Sequence, residues 1–99
     1  MGLSIRVSAR AARHIQSAAQ WWAINRPAAP GAIADDLEDA FALLAAQPEI
    51  GGYYESARVR GVRRLHIRRI RYYLYYRVTE KAIDILALWH TSRGTLPRL

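Results

Sequence analysis

Residues 58–78, RVRGVRRLHIRRIRYYLYYRV, hold eight arginines, four tyrosines, one histidine and no acid. Arginine offers a rigid planar fork that clamps phosphate or carboxylate and stacks on rings. The stretch therefore suits a nucleic-acid grip, a phosphodiester-cleaving site or a basic face for another protein. Cleaving RNA through its own 2′-hydroxyl needs a proton acceptor, a proton donor and cations for the phosphate. Arginine keeps its proton at any working pH, so it clamps anions but is a poor general base. Histidine is the side chain suited to acid–base work near neutral pH, so His66 and His90, with Tyr75 on one open sheet face, could form an acid–base pair. The plainer reading makes both histidines ordinary sheet-face or edge residues.

Other chemistries find little support. His14, His66 and His90 lack metal-ligand spacing, and there is no cysteine for a disulfide or thiolate site. We expect no metal and no cofactor. Gly51-Gly52 is not followed by the lysine and helix of a phosphate loop, and Ser92 has no partnered base and acid in view. Trp21, Trp22 and the tyrosines read as core and interface rings.

Positioning these residues falls to a chain of 99 residues, the length of one domain, 1–99. The longest apolar run, Ala40–Ala46, is too short to cross a bilayer. Residues 1–34 lack acids and carry Arg6, Arg10, Arg13 and Arg26, as a transit peptide would. Their strand and helix patterning argues against that. Met1-Gly2 opens like a myristoylation signal, but Arg6 stands where Ser or Thr is needed. The expectation is an unprocessed cytoplasmic protein without a membrane partner.

Leu3–Ser8 alternates as a half-buried strand. Ser8 can cap a helix running from Ala9 to about Asn25, with Ala11, Ala12, Ile15, Ala18, Ala19 and Trp22 as its apolar stripe. Pro27 and Pro30-Gly31 break it. A second helix spans about Ala32 to Gln47, burying Ile33, Leu37, Ala40, Phe41 and Leu44. Its cluster of Asp35, Asp36, Glu38 and Asp39 suits the positive end of the helix dipole. After the PEIGGYY connector come strands near Val62–Ile67, Arg71–Val78 and Ala82–Trp89, joined too tightly for helical crossovers. In the middle one, Tyr72, Leu74, Tyr76 and Val78 share one face, and Tyr73, Tyr75 and Arg77 the other. The expected class is α+β, order β-α-α-β-β-β. An antiparallel sheet carries an α-helical hairpin on one face and leaves the other partly open.

These residues resemble the ParE/RelE superfamily of type II toxin–antitoxin toxins, and more closely its ParE branch. The resemblance rests on S-x-R-A from Ser8, on Leu44, Pro48 and Gly51, and on GVRRL at 61–65. It continues through YYRV at 75–78 and IDILALWHTSR at 83–93. It implies a cytoplasmic toxin, of systems associated with plasmid stabilisation, held inactive in a hetero-oligomer with a cognate antitoxin. ParE relatives poison DNA gyrase, whereas RelE relatives cut mRNA in the ribosomal A site. Matched to RelE-type toxins, the arginine opening the middle strand falls on Tyr73, and the tail tyrosine falls at Leu99. Arg93 matches the arginine after the last strand. The nuclease alternative would then use Arg58, Arg60, Tyr75, His90 and Arg93, an incomplete set.

The favoured expectation is a gyrase inhibitor that acts by binding, docking through Trp89, His90 and Arg93. A net charge of +7 and fourteen arginines among fifteen basic residues point to a polyanionic or acidic partner. The resemblance supplies one, an acidic ParD-like antitoxin segment that folds on binding. Its carboxylates would meet Arg63, Arg64, Arg68, Arg69, Arg71 and Arg77. Arg63 also shares the face of Leu65 and Ile67, where it could pair with Asp84 or Glu38. No nucleic-acid reading motif appears, so contact with DNA would be indirect. A third possibility is an inactive basic interaction module.

Overall fold

The computed structural model describes residues 3–99, so the Met1-Gly2 reading lies outside the described residues. The elements are β1 (Ser4–Val7), α1 (Ala9–Asn25), α2 (Ala32–Ala46), β2 (Gly52–Tyr53), β3 (Val62–Ile67), β4 (Tyr72–Val78) and β5 (Ala82–His90). Ser8 caps α1 by accepting the Ala11 N–H at 3.0 Å. Gly31 gives α2 no side-chain cap, and Asp35 in its first turn faces the positive end of the dipole. Neither helix is long and apolar enough to cross a membrane.

The strands form one sheet in the order β1-β5-β4-β3-β2. β3, β4 and β5 make the expected antiparallel meander. Two details correct the expectation. β1 lies parallel to β5, so the sheet is mixed. A parallel neighbour needs a long crossover, and everything between β1 and β5 supplies it. In addition, part of the connector is itself a strand, because Gly52 and Tyr53 pair with Arg64 and Arg63.

Both helices pack on the face carrying Tyr72, Leu74, Tyr76 and Val78, as the alternation predicts. There Ile33, Leu37 and Leu44 of α2 meet Leu74, Tyr76, Ile83 and Ile85, with Ile70 plugging the end. Each such aliphatic side chain contributes about 1.5–3 kcal/mol by leaving water. The buried Tyr76 hydroxyl accepts the Gly51 N–H at 2.8 Å, pinning the connector to the sheet. Ala12, expected in the α1 stripe, is exposed.

The opposite face carries a second, smaller core. Val62, Tyr75 and Ala87 are buried beneath Tyr54, Val59 and the tail residue Leu99. A bulge shifts the register of β5 between the partners of Tyr75 and Tyr76, which leaves Leu86 as the extra residue.

Candidate docking site at the end of the last strand

β1 ends at Val7, opposite Ile85, so β5 runs on with a free edge. α1 fills that edge with a side chain: the Leu88 N–H donates to Nδ1 of His14 at 3.3 Å. The same imidazole meets Trp89 edge-on, with ring centroids 5.3 Å apart. Burial, with the Arg93, Arg10 and Arg13 cations nearby, pushes His14 below the ordinary imidazole value. A neutral ring is what its bond requires, since Nδ1 must accept.

Beyond β5 the chain folds back on itself. The Arg93 N–H donates to the His90 carbonyl at 3.1 Å, and the indole N–H of Trp89 donates to the Thr95 carbonyl at 2.7 Å. This turn lays the Arg93 guanidinium 4.0 Å from the Trp89 ring centroid. Such a pair is worth about 0.5–1 kcal/mol at an exposed site, enough to bias the fork towards one position. His90 is fixed by Ser92, whose N–H and hydroxyl lie 3.1 and 2.7 Å from its Nδ1.

Trp89, His90 and Arg93 are thus brought together, with Trp89 and His90 on opposite faces of the strand. His90 pairs with Tyr72 on the helix-covered side, their rings 5.0 Å apart. With His14, Ser17 and Trp21 of α1 and with Arg93, these two line a cleft of about 270 Å³. Burial raises the Tyr72 phenol above its usual value, and Arg93 partly opposes it. The α1 contribution was missed in the sequence. The signal was there, because His14, Ser17 and Trp21 recur at helical spacing beside the apolar stripe.

The residues of the nuclease alternative are dispersed. Tyr75, expected on an open face, is 1% exposed, covered by Tyr54 in an edge-on contact of 4.8 Å. His66 stands against Tyr73 on the sheet face opposite His90, so the proposed histidine pair is split. Arg58 lines a cleft with the tail at Leu96–Leu99, and Arg60 lines another beside Tyr53 and Val62.

Four of the six arginines assigned to a partner already have internal bonds. Arg63 is half-buried, but it donates to the Glu49 and Gly51 carbonyls at 3.0 and 2.8 Å rather than to Asp84 or Glu38. Arg64 lies between the rings of Tyr73 and Tyr54 and reaches the Tyr75 hydroxyl at 3.4 Å. Arg69 grips Asp36 with two bonds of 3.1 and 2.6 Å. Arg77 shares Asp84 with Arg6, and the Arg6 hydrogen bond does most to hold that carboxyl below its usual range. Arg68 and Arg71 stand exposed at the β3–β4 turn, where Arg71 takes a left-handed φ of 63°. No cluster of three potential metal ligands occurs among the described residues.

A family model described as the ParE toxin of the type II toxin–antitoxin system parDE matches residues 5–94. No curated protein matches the chain. Among solved structures, a chain from the chromosomal ParDE TA system of P. aeruginosa aligns with a TM-score of 0.73 at 22% identity. The alignment covers 91% of this chain and 97% of that one, and the likeness is one of fold.

Proposed function

The chain belongs to the ParE toxin family of type II toxin–antitoxin systems, and from that premise we propose that it inhibits DNA gyrase by binding it. Its activity is held in check by a cognate acidic antitoxin, ParD-like in kind, in a cytoplasmic hetero-oligomer.

One observation carries the docking reading: the stacked Trp89–Arg93 pair, preset by the fold-back of the tail. Contact surfaces concentrate their energy in tryptophan, tyrosine and arginine anchors, and a preset anchor loses less entropy on binding. The bulky ring, the cation and His90 beside them give a target both apolar area and charge to recognise. A dispersed set of arginines with a buried Tyr75 fits anion clamping better than proton transfer.

For the antitoxin, charge complementarity is the support. The net charge is +7, and residues 56–79 carry no acid. Carboxylates of an acidic segment are assigned first to the exposed Arg68 and Arg71. The outer atoms of Arg63, Arg64, Arg69 and Arg77 follow, at the cost of exchanging internal bonds.

Inducing the protein in cells without its antitoxin tests the reading. The expected result is a DNA-damage response with intact mRNA. Rapid mRNA loss without DNA damage would support the ribosome-dependent endonuclease instead, and unimpaired growth would mark an inactive module.

A further inference from the structure

The cleft between α1 and the end of the sheet has a composition that docking of a protein does not by itself require. Trp21 leaves 46% of its surface exposed at the rim, and Tyr72 and His90 meet edge-on in the wall. Aromatic walls of this kind give stacking surfaces for a flat ring.

Its polar groups are nearly all donors. Nδ1 of His14 accepts the Leu88 N–H and Nδ1 of His90 accepts the Ser92 N–H, which leaves Nε2 of each ring as its donor. The Tyr72 phenol, raised by burial, keeps its proton, and the Ser17 hydroxyl and Arg93 fork add further donors. No carboxylate among the described residues lines the cleft. A donor-rich, cationic lining selects an anion, while the rings select one that carries an aromatic group. The volume of about 270 Å³ lies just below the ~300–1,000 Å³ of sites for drug-sized ligands, so it suits one nucleotide and excludes a duplex.

We propose that this cleft binds a nucleoside phosphate, either free or as an unpaired unit of a single strand, with the base against Trp21 and Tyr72 and the phosphate on Arg93. The inference rests on the reading of this end of β5 as the target-contacting region, because the two share His90 and Arg93. An acidic peptide would satisfy Arg93 but would leave the rings unused.

Calorimetric titration of the whole chain tests it, with thymidine monophosphate, a six-residue oligothymidylate, a short duplex, inorganic phosphate and a hexaglutamate peptide. The nucleotide and the oligonucleotide are expected to bind saturably. Ten-fold tighter binding of the oligonucleotide identifies the single strand as the source, and equal affinity identifies the free nucleotide. Trp21→Ala and Ser17→Asp should each weaken binding about ten-fold or more, with the circular dichroism spectrum retained. Ser17→Asp places a like charge in the cleft without removing packing, so it reports even if Trp21→Ala unfolds. Equal or tighter binding of phosphate, duplex or hexaglutamate, or undiminished binding in Ser17→Asp, would overturn the proposal. Gyrase is absent from these titrations. No nucleotide binding by a chain that still inhibits gyrase overturns this inference alone, whereas binding by a chain that leaves gyrase untouched overturns the docking reading alone.

Discussion

His14 completes the free edge of β5 through the Leu88 N–H, packs against Trp89 and lines the cleft beside Arg93. Every charged group that acts on it is a cation: Arg10 and Arg13 from α1 and Arg93 from the tail, with the neutral Tyr72 and the imidazole of His90 across the cleft. Its folded proton affinity is therefore below that of the unfolded chain. The stability this lends is fully present above the unfolded value of about 6.5. It is lost as pH falls from there through the lower folded value, because the unfolded state takes up the proton first. Urea unfolding at pH 7.5 and 5.5 should show lower stability at 5.5, and His14→Gln should flatten that difference. An identical pH slope in the variant would assign the effect to other groups. Sequence spacing placed His14 on a helix, but its role depends on β1 pairing with β5 and stopping opposite Ile85, a register that no local pattern encodes.

At the level of the elements, the connector between α2 and β3 is held by the Arg63 bonds, by its pairing with β3 and by one close approach at Gly51. A Cβ on Gly51 would lie 2.7 Å from the Tyr76 hydroxyl and 2.8 Å from the Arg64 carbonyl, and the latter is backbone that cannot swing away. Gly51→Ala is expected to cost about 1–3 kcal/mol, read as a lower urea midpoint, whereas Gly52→Ala, with open space around it, should cost far less. Equal effects at both positions would contradict this account. The two faces of β4 were legible from alternation, because one side packs under helices whose own stripes were equally regular. β2 was not, since two residues, one a glycine, are too few to alternate. The burial of Tyr75 was hidden for a related reason: its cover comes from Tyr54, Val59 and Leu99, which lie in segments without periodicity. The parallel pairing of β1 followed from chain routing, which composition does not record.

For the whole molecule, charge and shape divide the work. The acids of α2 are partly consumed internally, as Asp36 holds Arg69, while Arg68 and Arg71 remain on the surface. Reversing both, as Arg68→Glu with Arg71→Glu, should slow association with an acidic antitoxin and weaken its dependence on salt. Stopped-flow mixing across ionic strengths checks this, and an unchanged association rate would move the antitoxin site elsewhere. The superfamily motifs and the charge were readable in sequence, but the choice of which arginines are available required the folded contacts. The same end of the sheet, where the Thr91 N–H donates to the Arg71 carbonyl at 2.9 Å, carries the preset Trp89–Arg93 anchor on which the proposed gyrase inhibition rests. The most direct measurement of that inhibition is gyrase supercoiling and cleavage-complex formation with the purified protein, beside Trp89→Ala and Arg93→Ala. The account predicts inhibition by the parent chain and at least a ten-fold loss of potency in each variant that stays folded. Full inhibition by both variants, or none by the parent chain, would contradict it.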